Sequence, residues 1–284
     1  SPLRTSTTST SSTRREQSVR QGELATHAGS LDVASLVARL SSGSAGAQEQ
    51  PRSQELAAMD LSRLMIKSYD NQAIIAIAGA IEPLVALLRG GSAGAQEAAA
   101  TALSHLAIGN AANKAAIARA GAIEPLVALV RGGSAGAQGP AAAALSNLAF
   151  DNADNQVAIT RAGAIEPLVA LVHSGSAGAQ EAAATALSHL AFGNAANKAA
   201  IARAGAIEPL VALVRGGSAG AQEAAAGALA NLASGNAANQ RRPSPERVLS
   251  SLSWRLCAAA ARGRRMRRLP RWEGSLPATQ PTRR

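Results

Sequence analysis

The sequence predicts an all-α solenoid made of three-helix repeats, each 42 residues long. One phrase, Gly-Ala-Ile-Glu-Pro-Leu-Val-Ala-Leu, occurs four times, at residues 79–87, 121–129, 163–171 and 205–213. A fixed period of about 20–50 residues is the signature of a solenoid, in which each repeat buries its apolar face against its neighbours. Within a repeat, Ala99, Leu103 and Leu106 follow the spacing of one helix face, which predicts helices rather than strands.

The repeats divide the chain into a body, residues 29–240, between two tails. The first repeat, 29–70, is diverged, as expected where a terminal repeat meets solvent instead of a neighbour. The four regular repeats are 71–112, 113–154, 155–196 and 197–238. Residues 92–138 and 176–222 differ at one position only, which indicates that a block of two repeats has been copied.

Both tails are predicted to be disordered. Residues 1–28 are rich in Ser, Thr and Arg and poor in apolar residues, a composition that also resembles a transit peptide. Residues 241–284 are rich in Arg and Pro, and their twelve Arg against two Glu account for the net charge of +10. This segment is either a functional basic tail that binds anions weakly, or a chain end altered by a splice or reading-frame error. The rest of the chain has as many acidic as basic residues, so its charge does not predict nucleic-acid binding.

Each regular repeat is expected to form a short, a second and a third helix. In the repeat 113–154, Asn113 is the expected N-cap of the short helix, and Gly121 permits the sharp turn at its end. Pro125 falls in the first turn of the second helix, where a missing N–H costs nothing. Ser134 is expected to cap the third helix. In this repeat Gly139-Pro140 replaces the usual Glu-Ala, which should delay or kink that helix and leave a local dent.

The composition excludes several classes of function. Aromatic residues make up only 2% of the chain, and a core of Ala, Leu, Ile and Val argues against a deep ligand pocket. Cys257 is the sole cysteine, so no intrachain disulfide can form, which fits a reducing compartment. The sequence has no run of 18 apolar residues, so no membrane span is predicted. No catalytic constellation or phosphate-binding motif is present, so neither an enzyme nor a cofactor is expected.

The repeat resembles the armadillo repeat, and the resemblance extends over residues 31–240. It is carried by three helices in 42 residues, by Ala-Gly-Ala-Ile before a Pro-containing helix, and by Ala-Leu-Ser-Asn-Leu-Ala at 144–149. Proline stands one place later than in the commonest family pattern. Within the family the chain is most similar to vacuolar-type and plant-type armadillo scaffold proteins. The resemblance implies a right-handed superhelix, a non-enzymatic scaffold whose third helices line a concave groove that holds an extended peptide of a protein partner.

The resemblance also implies a row of peptide-clamping side chains, because family members hold the peptide backbone with an Asn near the end of each third helix. The matching positions are Arg63, His105, Asn147, His189 and Asn231. An amide both donates and accepts hydrogen bonds, and a neutral His can do the same with a dependence on pH. The same helix faces carry further predicted groove residues, namely Glu97, Thr101, Glu181, Thr185 and Glu223, with Glu55 in the first repeat. These carboxylates would favour basic peptides; the alternative is an ordinary solvated surface.

Other functions remain open at this stage. The chain could be the substrate-recruiting part of a U-box-type ubiquitin ligase, whose U-box would lie upstream of Ser1. A nuclear-import adaptor is disfavoured, because the import branch has a Trp four residues before each clamping Asn. Here those positions are Met59, Thr101, Ala143, Thr185 and Gly227. No metal site is expected, since His105 and His189 lie two repeats apart. The expected location is the cytoplasm, with the nucleus and the surface of an organelle membrane as alternatives.

Overall fold

A computed structural model of the chain describes residues 33–41, 50–68 and 70–235, and in these ranges it contains helices and no strand. The predicted all-α solenoid is therefore confirmed, whereas the calls on the tails 1–28 and 241–284 concern residues outside the described ranges. The helices are α1 (33–41), α2 (Gln50–Lys67), α3 (Asp70–Ile77), α4 (Ile81–Gly90), α5 (Ala93–Ala107), α6 (Ala111–Arg119), α7 (Ile123–Gly132), α8 (Ala135–Ala149), α9 (Ala153–Arg161), α10 (Ile165–Ser174), α11 (Ala177–Ala191), α12 (Ala195–Arg203), α13 (Ile207–Gly216) and α14 (Ala219–Ala233).

The third helices of the repeats form the backbone of the solenoid. They pack side by side in chain order, as α2, α5, α8, α11 and α14. Each second helix, α4, α7, α10 or α13, packs against the third helix of its own repeat. We call the solvent-facing side of the row of third helices the third-helix face. No single helix in the described ranges is long and apolar enough to cross a membrane. Two pairs of consecutive helices, α3 with α4 and α9 with α10, have the required length and composition only when taken together, and they are bent by 78° and 82°.

The core consists of aliphatic side chains in the predicted positions. On α5, Ala99, Ala102, Leu103 and Leu106 are completely buried, and the apolar residues of α7 from Leu126 to Val130 are buried except for Ala128. Burying one Leu or Val contributes about 1.5–3 kcal/mol. Stability therefore comes from many similar contacts, repeated along the chain.

The start of each short helix differs from the sequence-based expectation. Asn110, and not Asn113, is the N-cap of α6, because its side chain accepts a hydrogen bond from the backbone N–H of Asn113 at 3.0 Å. Asn113 is buried inside the first turn, and its Nδ2 donates to the carbonyl of Leu106 at 2.9 Å. The equivalent bonds of Asn71, Asn155 and Asn197 reach Leu64, Leu148 and Leu190. These asparagines join each short helix to the preceding third helix.

The turns largely follow the predicted chemistry. Gly121 has a φ of +74°, which permits the sharp turn after α6, and Ser134 Oγ accepts from the N–H of Ala137 at 3.2 Å to cap α8. A second positive-φ turn follows the third helices α5, α8, α11 and α14. It is made by Gly109 after α5 (φ +64°), but after α8 by Asp151 (φ +52°).

Gly139-Pro140 does not delay the third helix of its repeat. The helix α8 begins at Ala135 and runs unbroken to Ala149, with the same length as α5. The expected delay is wrong because the Ser134 cap holds the first turn, and Ala137, Ala141 and Ala144 are fully buried. Proline at position 140 removes only one N–H from the helical ladder.

Candidate functional site

The predicted clamping asparagines are hydrogen-bonded to the neighbouring repeat. Asn147 Nδ2 donates to the carbonyl and to Oγ of Ser104, at 3.1 and 3.0 Å. Asn231 Nδ2 makes the same pair of bonds to Ser188, at 3.1 and 2.9 Å. Each bond joins residues 43 positions apart on consecutive third helices. Because the amide donors are used in this way, Oδ1 is the atom left for a ligand, and both side chains are partly exposed.

His189 occupies the same position one repeat after Asn147 and uses the same kind of partner. Its Nδ1 lies 2.9 Å from Ser146 Oγ and 3.0 Å from the Ser146 carbonyl, and its ring packs on Phe150 with centroids 4.8 Å apart. A carbonyl only accepts, so Nδ1 carries the proton and Nε2 of the neutral ring is an acceptor. Burial lowers the pKa of His189; the bond to Ser146 opposes this shift and the charge of Lys114 adds to it.

His105 departs from this pattern. Its Nδ1 is buried without a hydrogen-bond partner, and so is Oγ of Ser62, which stands where Ser146 stands for His189. Burial lowers the pKa of His105. Ser62 and His105 line a cavity of about 370 Å³ between α2 and α5, which we call the first cavity. Arg63, the clamp position of the first repeat, lies at its edge and forms an ion pair of 2.9 Å with Asp60.

The predicted groove glutamates contact the next third helix. A Cβ atom added at Gly94, Gly136 or Gly220 would clash with the carboxylate of Glu55, Glu97 or Glu181, respectively. These glycines lie in the first turn of α5, α8 and α14. A carboxylate there is stabilised by the positive end of the helix dipole. The glutamates therefore have a role in the fold as well as a place on the third-helix face.

The threonines of the face are satisfied within their own helices. Thr101 Oγ1 donates to the carbonyl of Glu97 at 2.9 Å, and Thr185 Oγ1 donates to that of Glu181 at 2.8 Å. Their hydroxyl oxygens remain able to accept. Glu223 is exposed on α14, the last third helix that the structure describes.

The glutamate is missing from one repeat, and a second cavity lies there. Gly139 and Pro140 line it together with small residues of α11, and its volume is about 460 Å³. Gly178, which would be covered by the missing carboxylate, has nothing within 4 Å of a Cβ. The cavity lies where the sequence predicts a dent. Thr101 and His105 line this second cavity as well as the first, so the two adjoin.

Sequence reasoning missed the partners of the clamp row. Ser62, Ser104, Ser146 and Ser188 recur with the period of 42 residues, and that recurrence was a signal that could have found them. It also missed the buried Lys114, whose Nζ donates to the carbonyl of Phe150 and lies 5.2 Å from the centre of its ring. Across the described part of the chain, no three His, Cys, Asp or Glu side chains come together as metal ligands.

The stacked three-helix repeats and their polar third-helix face define a helical-repeat protein with a surface suited to binding. Comparison with family models matches the Armadillo/beta-catenin-like repeat at residues 68–108, 110–150, 152–192 and 194–234. These stretches cover more than half of the chain. The chain belongs to the armadillo repeat family. No curated protein matches it.

Several solved structures share the fold. An engineered protein is 34% identical, with a TM-score of 0.70, and the match covers 78% of this chain and 90% of that one. A computationally designed armadillo repeat protein for modular peptide recognition is 30% identical, with a TM-score of 0.68 over 78% of this chain and 91% of that one. A designed armadillo repeat protein in complex with the peptide (KR)4 is 28% identical, with a TM-score of 0.65 over 80% and 90%.

Proposed function

We propose that the chain is a non-enzymatic scaffold that binds an extended segment of another protein along the third-helix face. The observation that carries the proposal is the row of acceptors at the clamp positions. Asn147 and Asn231 each keep an Oδ1 without a hydrogen bond in the described ranges, and His189 keeps Nε2. An extended segment has backbone N–H groups that need acceptors. Similarity to a designed armadillo protein in complex with (KR)4 adds support.

The chemistry of the clamp differs in this proposal from the expectation based on sequence. The asparagine donors are bound to Ser104 and Ser188, so the amide meets the peptide as an acceptor only. The bound segment would supply N–H groups to the row, and its side chains would meet Glu97, Thr101, Glu181, Thr185 and Glu223 of the face. With a single cysteine and no intrachain disulfide, the chain fits a reducing compartment, and we place it in the cytoplasm.

The experiment uses the full chain and a fluorescent (KR)4 peptide, with binding followed by fluorescence anisotropy. The change Asn147→Ala removes both the acceptor and the bond to Ser104. It should weaken binding by about 1 kcal/mol, which is roughly fivefold, because one hydrogen bond to the peptide is lost.

Ser104→Ala is the matched control, because it weakens the contact between repeats and keeps the Asn147 acceptor. It should lower thermal stability and leave the affinity for (KR)4 unchanged. Equal loss of stability in both variants, with unchanged affinity in both, would show that Asn147 is purely structural and would refute the clamp. If neither (KR)4 nor any member of an array of extended peptides binds, the proposed function is refuted.

A further inference from the structure

Two adjoining cavities of the third-helix face differ in charge. The first, between α2 and α5, is lined by Glu55 and Glu97. The carboxylate of Glu55 covers Gly94 of the same lining, whereas that of Glu97 reaches Gly136 of α8. Its one cationic residue, Arg63, is paired with Asp60. The second cavity, between α5, α8 and α11, has no Asp, Glu, Lys or Arg in its lining. The face therefore offers an acidic cavity beside an uncharged one.

Polar and apolar residues both line the first cavity. Ser62 is only 6% exposed, and neither its Oγ nor the Nδ1 of His105 has a partner. Both atoms have almost no accessible surface, so a ligand in the cavity meets other atoms of these two lining residues. Burial lowers the pKa of His105, so its ring is neutral at pH 7 and can accept. Met59 and Ile66 provide apolar walls on which an aliphatic stem can lie.

The second cavity results from one departure from the repeat. The other regular repeats have a glutamate at the position of Gly139, and in two of them its carboxylate covers a glycine of the next helix. Gly178, the corresponding glycine here, is uncovered. Other small residues, among them Pro140, Ala143 and Ser176, complete the lining. An unpaired charge placed there would lose hydration without a countercharge, whereas an uncharged side chain would bury apolar area.

We propose, on the basis of the proposed function above, that these two cavities select the sequence of the bound segment. The first cavity takes the side chain of a Lys or Arg, and the second takes a bulky uncharged side chain two residues away. Side chains at i and i+2 of an extended chain point to the same side, about 6.6–6.8 Å apart. The cation lies near the carboxylate of Glu55, which covers Gly94 of the same lining, and its stem lies on Met59 and Ile66.

The test is a panel of short peptides that differ at two positions in a Gly/Ser frame, with binding to the full chain measured by anisotropy. The peptides carry Lys and Leu two residues apart in either order, and the comparison peptides replace Lys by Gln, Leu by Gly, or Leu by Lys. The tighter of the two Lys/Leu orders should bind at least fivefold more tightly than each comparison peptide. Glu97→Gln should reduce the preference for Lys over Gln.

The decisive variant is Gly139→Glu with Pro140→Ala, which restores the Glu-Ala of the other repeats. A Cβ at Gly139 meets Ala179 at 3.6–3.8 Å, an ordinary contact, so a Cβ is accommodated there without a clash. This variant should reverse the preference from Leu to Lys at the second position, changing the ratio of affinities at least tenfold. Pro140→Ala alone is the matched control and should keep the preference for Leu. Circular dichroism verifies that both variants retain their helicity.

The outcomes separate the two proposals. If (KR)4 binds but the ratio of affinities for Leu and Lys at the second position is the same in the wild type and in the double variant, the selection by two cavities is refuted and the proposed function stands. If the wild type does not distinguish Lys from Gln, the assignment of the first cavity is likewise refuted. If neither (KR)4 nor any panel peptide binds, both proposals fail.

Discussion

Replacing His105 by Asn should stabilise the junction between α2 and α5. Two polar atoms are buried there without partners, Ser62 Oγ and His105 Nδ1. At the equivalent junction, Asn147 donates to Ser104 Oγ and to its carbonyl at 3.0 and 3.1 Å. His105→Asn places the same amide opposite Ser62. One net hydrogen bond contributes about 0.5–1.5 kcal/mol, and the unpaired ring nitrogen is removed, so the expected gain is about 1 kcal/mol.

The assay is thermal unfolding by circular dichroism, combined with amide hydrogen exchange in α2. A gain of about 1 kcal/mol corresponds to a rise in Tm of about 2–4 °C for a domain of this size. Because repeats contact only their neighbours, the extra protection should concentrate in α2 and α5. His189→Asn is the matched control, since His189 already bonds to Ser146 and would lose its contact with Phe150; no gain is expected. Equal gains in both variants, or a loss in His105→Asn, would refute the assignment of the orphaned pair.

Two further predictions concern protonation and backbone strain. Burial lowers the pKa values of His105 and His189 below 6.5 in the folded state, so the unfolded state binds protons more readily and folding should weaken as the pH falls below about 6.5. Unfolding measured between pH 7 and pH 5 should show this loss, and a variant with Asn at both positions should show less; equal slopes would contradict it. Asp151 has a φ of +52° where Gly109 serves in the equivalent turn, so Asp151→Gly should raise the free energy of unfolding by about 0.5–1 kcal/mol. The reciprocal Gly109→Asp is its control and should lower it, and a loss of stability in Asp151→Gly would show that the carboxylate matters more than the strain.

Local chemistry was the part of the fold that could be predicted from the sequence. Ser134 as a cap, Gly121 as a turn and the buried stripe of α5 depend on neighbours within a few residues, and all three were confirmed. The N-cap was misplaced because Asn110 and Asn113 both precede the same apolar pattern. The choice between them depends on the carbonyl of Leu106, which only the packed structure brings within reach.

The clamp row shows the corresponding limit for the site. Asn147 was recognised as a polar residue of the groove, but its bonds to Ser104 join residues 43 positions apart. Helix propensity and amphipathic patterns carry no information about such pairs. The same applies to His105, whose Nδ1 finds no partner opposite Ser62 of α2. Whether the row binds a peptide stays a prediction.

The serine-to-clamp bonds have a consequence for how this gene product can change in length. Each bond joins residues 43 positions apart, which is one repeat plus one residue. Removing 113–154 would therefore bring His189 opposite Ser104, and His189 already makes this kind of pairing with Ser146. Loss or gain of a whole unit therefore leaves no mismatched seam, whereas a partial unit would misalign every later contact. Unequal recombination in register is thus tolerated by the packing itself. The near-identity of residues 92–138 and 176–222 shows a block of two units repeated in this same register.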